Sequence, residues 1–180
     1  MNFKTLKKQS GFTLVEIGIV VAIAAVIIAI GLAVVPGIIA SNRANAEISE
    51  VPSVVAKVQK LYNNQSSFTG VSTAQLAALS VYPDQEASAV GGTITDRWGG
   101  PVTAASGTLK VAGDSVILTY NNVPQAECTQ IVPGVANSVR VITIGGTSVK
   151  ADGQAVNLTT VGTQCAAGST ANTITYQFSK

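Results

Sequence analysis

Between Glu16 and Arg43 the chain runs for 26 residues without a charge, and nearly all of them are apolar. Residues 17–40 alone make about 36 Å of helix at 1.5 Å per residue, more than a hydrocarbon core of roughly 30 Å. A stretch of this kind either crosses a membrane or is covered by other protein. Its leading edge constrains the reading further. Three lysines (Lys4, Lys7, Lys8) precede Ser10-Gly11-Phe12-Thr13-Leu14-Val15-Glu16. A carboxylate at such an edge costs roughly 2.5–3.5 kcal/mol if it enters hydrocarbon, so Glu16 demands a partner or a purpose. A secretory signal peptide also begins with a basic segment and an apolar run. Its apolar run is shorter, however, and here the small-residue cleavage site that should follow is poorly defined.

The helical pattern continues past the apolar run. Ala44, Ile48, Val51, Val55, Val58 and Tyr62 recur at alternating spacings of four and three, one stripe of a helix, with Arg43, Glu47, Glu50, Lys57 and Lys60 mostly off it. The expectation is one helix over about 12–65, apolar on all sides over 12–40 and amphipathic over 41–65. Pro36 and Pro52 fall inside it, each removing a backbone donor and favouring a bend.

The words Gly11-Phe12-Thr13-Leu14-Val15-Glu16 resemble the processing site of type IV pilins and type II secretion pseudopilins. The resemblance implies a basic leader (1–11) cut by a prepilin peptidase between Gly11 and Phe12, with N-methylation of Phe12. It also implies an assembly role for Glu16, paired with the free amino terminus of a neighbouring subunit. A plain single-pass anchor would not need this boundary. Excess lysine on the leader side places that flank in the cytoplasm and residues 66–180 across the inner membrane. Pro36 then has a second reading beside a simple kink, since in assembled pili the segment near such a proline can lose helicity.

The 115 residues from Ser66 to Lys180 suffice for one small globular domain. Of eleven basic residues three lie in the leader, so the mature chain has eight against nine acidic residues, a formal −1. No basic run survives, and a dedicated nucleic-acid surface is not expected. There is no histidine, so the usual general base is missing and no enzyme is expected. No cofactor or metal is implied. Asp84 and Glu86 are the only close acidic pair outside the helix, and are more simply solvated than calcium-binding. Cys128 and Cys165 lie in the exported part, where an oxidising compartment favours one disulfide over two buried thiols.

Within 66–180, residues 72–79 read as a short helix with Ser72 as N-cap and Gln75 completing a capping box. Strands are expected at 92–96, 107–112, 115–121, 138–144, 147–150 and 173–179, and helices at 124–132 and 156–164. The fold class is therefore α+β, a long helix packed on a mainly antiparallel sheet. Asp96-Arg97-Trp98-Gly99-Gly100-Pro101-Val102 and the 128–165 loop resemble the type IVb class, which includes thin-pilus and toxin-coregulated pilins. The 11-residue leader and Phe12 resemble type IVa instead. Trp98 reads as a packing residue, and Asn64-Gln65-Ser66 and Asn157-Leu158-Thr159 as chance glycosylation matches.

The function expected from the resemblance is a major pilin that polymerises with itself through its apolar helix. Its partners are the membrane, the peptidase and the inner-membrane assembly machinery, and its final place is an extracellular filament. The alternatives are a minor pilin or pseudopilin, or a membrane-anchored periplasmic binding module.

Overall fold

The computed structural model of the chain describes residues 11–83, 87–88 and 91–180. The leader lysines and the Asp84–Glu86 pair lie outside these residues. A single helix, α1 (Leu14–Leu61), carries the apolar run and the amphipathic stripe and stays helical through Pro36 and Pro52. The chain divides into two units, one up to Ile39 and one from Ala40 to Lys180, and α1 contributes to both.

The second unit is built on a seven-stranded, wholly antiparallel sheet in the order β1-β2-β3-β4-β7-β5-β6. Its strands are β1 (Ala87–Ser88), β2 (Thr93–Thr95), β3 (Pro101–Thr108), β4 (Ala112–Val123), β5 (Val141–Ile144), β6 (Thr147–Lys150) and β7 (Asn172–Ser179). The long pair β4–β7 forms the centre. Val116, Leu118 and Tyr120 alternate with half-exposed neighbours, as do Ile174, Tyr176 and Phe178. This period of two gives the sheet one apolar face. Ala44, Val51, Val54, Val55 and Val58 of α1 join those side chains in one core, so the helical stripe has its covering surface. Tyr62, Phe68 and Phe178 extend that contact as an aromatic chain, with centroids 5.4 and 6.4 Å apart.

Three shorter helices complete the unit: α2 (Thr73–Ala78), α3 (Gln125–Val135) and α4 (Leu158–Ala167). Cys128 of α3 and Cys165 of α4 form a disulfide, both fully buried. Asn157 caps α4 by accepting from the Thr160 amide at 3.1 Å, so one of the two glycosylation-like triplets has a structural use.

Several boundaries differ from expectation for identifiable reasons. α1 begins at Leu14 because Thr13 is its cap, and ends at Leu61 in a turn. The strand expected over 107–112 is the end of β3, a turn and the start of β4. Asp114 closes that turn by accepting from the amides of Leu109, Lys110 and Val111 at 2.7, 2.7 and 2.9 Å. Most of β3 escaped notice because Thr103-Ala104-Ala105-Ser106-Gly107 carries none of the large apolar residues that mark a strand. β5 begins at Val141 rather than 138, and Cys165 lies inside α4 rather than after it. The α2 capping box is only half made. Ser72 accepts from the Gln75 amide at 3.3 Å, but the Gln75 side chain accepts from the Tyr62 hydroxyl at 2.6 Å.

The two cysteines stand 37 residues apart. Closing such a loop should stabilise the unit by about 4 kcal/mol in the chain-entropy model. Replacing both cysteines with alanine should lower the denaturant midpoint of the detergent-solubilised full chain by that equivalent; an unchanged midpoint would remove the disulfide from the account.

Candidate functional site

At the amino end one local device joins Glu16 to Thr13, and Gly11 and Phe12 take no part in it. Thr13 sits just ahead of α1, and Glu16 is the third residue inside it. The Thr13 hydroxyl accepts from the Glu16 amide at 3.2 Å. In return, Glu16 Oε2 accepts from the Thr13 amide at 3.2 Å and from the Thr13 hydroxyl at 3.1 Å. This is a reciprocal capping box, the Thr-x-x-Glu pattern that satisfies orphan donors of a helix start. The carboxylate also lies at the positive end of the helix dipole. Sequence reasoning found the weaker box at Ser72 and missed this one, although Thr13-Leu14-Val15-Glu16 matches the rule directly.

Around this polar corner everything else is apolar and uncovered. Phe12 is 82% exposed and Leu14 90%, and from Phe12 to Ile39 seventeen large hydrophobic side chains are exposed. A hollow of about 410 Å³ beside Glu16 is lined by Phe12, Ile17, Val20 and Val21. Another, of about 310 Å³, lies farther along at Gly31, Leu32, Val35 and Pro36. Gly11 has open space around it. Among the described residues this is the one helix long and apolar enough to cross a membrane.

The second half of α1 holds a feature the sequence reading misjudged. Glu47 and Glu50, expected off the stripe, are buried in the second unit. Spacing could have revealed it, since Ala44, Glu47, Val51, Val54 and Val58 step by three and four along one face. Arg97 meets both acids: its Nε lies 3.5 Å from Glu47 and its Nη2 bonds to Glu50. A buried carboxylate needs such a counter-charge. Arg97 is the only cation between Lys60 and Lys110.

The loop over 96–100 aims it there. Asp96 Oδ1 accepts from the amides of Trp98 at 3.0 Å and Gly100 at 2.7 Å, while the Asp96 amide donates to the Gly100 carbonyl at 2.8 Å. Gly99 takes φ +79°, and a Cβ on Gly100 would stand 2.2 Å from the Asn121 carbonyl oxygen, so both positions require glycine. Trp98 packs against the core, and its indole donates to Glu127 at 3.4 Å. Burial raises the Asp96 pKa above its ordinary 3.8, against the lowering effect of the Gly100 and Trp98 amides. Nearby, the Tyr82 and Tyr120 hydroxyls are 3.1 Å apart, and burial drives the Tyr120 and Tyr176 phenols well above their ordinary values. Among the described residues no group of three or more His, Cys, Asp or Glu is placed to hold a metal ion.

Two outcomes follow from this knot. Arg97→Ala should destabilise the second unit by about 3 kcal/mol, because it strands two buried carboxylates; a loss under about 0.5 kcal/mol would mean the knot is incidental. For Asp96, the folded state holds its proton more tightly than the unfolded one. Its ionisation therefore weakens the fold as pH rises from about 4 through the raised value. Asp96→Asn keeps the acceptor and removes the charge. It should match or exceed the native midpoint at pH 7, with the gap closing toward pH 4; a variant weaker at pH 7 would contradict this.

Comparison with known proteins bears on the whole arrangement. A family described as PilS N terminal matches residues 41–179. The major structural subunits of the bundle-forming pilus from Escherichia coli O127:H6 (strain E2348/69 / EPEC) and from Escherichia coli O111:H- are each 28% identical over 125 residues, covering 69% of this chain. The chain spans 64% of the length of these relatives. Two solved structures share the architecture. A type IV b pilin from Salmonella typhi gives a TM-score of 0.58 at 18% identity, over 76% of this chain and 99% of that one. TcpA, a type IV pilin from the Vibrio cholerae El Tor biotype, gives 0.56 at 16% identity, over 77% and 99%. With its helix packed on an antiparallel sheet and its α3–α4 disulfide, the chain has the type IV pilin fold and belongs to the PilS N-terminal family.

Proposed function

We propose that this chain is a prepilin that matures into the major structural subunit of a type IV pilus. The observation that carries the reading is the seventeen exposed apolar side chains of residues 12–39, with a single carboxylate, Glu16, at their leading edge. Such a surface is far larger than a soluble monomer leaves open. A membrane covers it before assembly, and copies of itself cover it afterwards. The 28% identity to named major pilus subunits supports the same reading.

The steps fall to particular residues. Peptidase cleavage between Gly11 and Phe12 removes residues 1–11 and turns the Phe12 peptide nitrogen into an amine, which is then methylated. Leader lysines hold the other flank in the cytoplasm until then, so the precursor sits in the inner membrane with residues 66–180 outside. The new cation and the Glu16 carboxylate are each costly in an apolar surround and stabilise one another when paired. Thr13 holds Oε2, and the second carboxylate oxygen of Glu16 remains to accept from an incoming ammonium. Glu16 stands about one turn along from Phe12, so a neighbour displaced by roughly one turn, about 5.4 Å, brings amine and carboxylate together. Uncut precursor lacks the amine, which makes processing the gate to assembly. The apolar 12–40 segment then lies in the filament interior, and the disulfide-bounded region 128–165 belongs to the outward domain.

Mass spectrometry of sheared surface filaments should find this chain as the dominant species, beginning at N-methylated Phe12. A trace amount there would point to a minor pilin. Glu16→Val should be cleaved normally yet yield few or no filaments, and normal filament yield would overturn the pairing role. Gly11→Val should stay uncut in the inner membrane.

A further inference from the structure

The formal charge of the mature chain conceals a cationic surface. Four of its nine acids, Glu47, Glu50, Asp96 and Glu127, are buried in the second unit. Three exposed cations, Lys110, Arg140 and Lys180, converge on one cavity. It has a volume of about 280 Å³; its polar lining is Ser66, Ser67, Lys110, Arg140, Ser179 and Lys180, with one carboxylate, Asp114. These come from four separate segments: the loop after α1, the β3–β4 turn, the residue before β5 and the end of β7.

The acids near this cavity are already committed. Asp114 holds three backbone amides of the β3–β4 turn, which lower its pKa to about 2. Asp152 grips Arg140 through two bonds of 2.7 and 2.9 Å, leaving the guanidinium a further donor that reaches the Ser179 hydroxyl at 3.3 Å. Lys180 donates to the Gln65 carbonyl and stands 5.6 Å over the Phe68 ring, and Lys150 donates to the carbonyls of Val139 and Arg140. Those neutral partners position an ammonium without cancelling its charge. Among the described residues neither Lys110 nor Lys180 has a carboxylate within ion-pair distance. Of the charged side chains that line the cavity, three are cations and one is an acid. The Ser67 and Ser179 hydroxyls donate to Thr69 and to the Lys180 carbonyl, which leaves the Ser66 hydroxyl as the neutral donor at the cavity.

We infer that this cavity is an anion-binding site that takes a carboxylate or phosphate group carried on a ligand no larger than one sugar ring. Lys110 and Lys180 supply the charge, Arg140 a directed donor, and Ser66 a neutral hydroxyl donor.

The site is independent of filament formation and is read on the unassembled full chain, isotope-labelled in uncharged detergent and titrated with inorganic phosphate, glucose 6-phosphate and glucose. Backbone amide shifts should concentrate at residues 66–67, 109–111, 140 and 179–180 with both phosphates, and be absent with glucose. Lys110→Gln and Lys180→Gln should each weaken binding about tenfold, the loss of one charge-assisted contact, while Lys60→Gln leaves it unchanged. Equal affinity for the two phosphates assigns the site to a free anion; tighter glucose 6-phosphate assigns it to a phosphorylated end group. Shifts scattered over the surface, equal response to glucose, or native affinity in both lysine variants would overturn the inference. None of these results depends on whether Glu16 drives assembly.

Discussion

The uncovered apolar half of α1 governs what the rest of the molecule can be. Covering each large side chain is worth about 1.5–3 kcal/mol. Leaving seventeen of them in water would cost about 25–50 kcal/mol, several times the stability of an ordinary domain. No arrangement of the chain as a free monomer in water meets that cost. The helix therefore needs a membrane or other protein to cover it, and Glu16 is the one charge on residues 12–39.

The second unit is organised around the other half of the same helix. The stripe from Ala44 to Tyr62 completes a core that the sheet alone leaves open on one face. The Arg97 knot gives that contact a fixed position, because a guanidinium between two buried carboxylates tolerates little sliding where an apolar stripe tolerates more. The Asp96 turn and the glycines at 99 and 100 explain why the seven residues from Asp96 to Val102 occur as a unit. Each has a defined task in delivering Arg97 or in starting β3. The disulfide joins α3 and α4 and restrains the long excursion between them.

Much of this was legible from the residues alone. Continuous apolarity, the Gly11-Phe12 boundary and the four-three stripe gave α1 within a few residues, and six short runs gave most of the sheet. What escaped had physical reasons. β3 is made of small residues, so burial from the sheet rather than hydrophobicity marks it. The 109–111 turn is held by the Asp114 side chain, a tertiary closure with weak local signal. Glu47 shares the face of Ala44, Val51, Val54 and Val58, so its burial was readable from spacing; its partner Arg97, some fifty residues away, was not. The Thr13–Glu16 box, by contrast, is local and follows the Thr-x-x-Glu pattern in the sequence itself. The pocket lined by Lys110, Arg140 and Lys180 draws on four segments, and no linear motif could have announced it.

The most direct measurement is a helical reconstruction of the assembled filament at side-chain resolution. The account predicts residues 12–39 packed in the interior against neighbouring copies, with each Glu16 carboxylate within ion-pair distance of another subunit's Phe12 amine. A filament whose subunits touch only through residues 66–180, with the apolar segment absent or facing solvent, would contradict it.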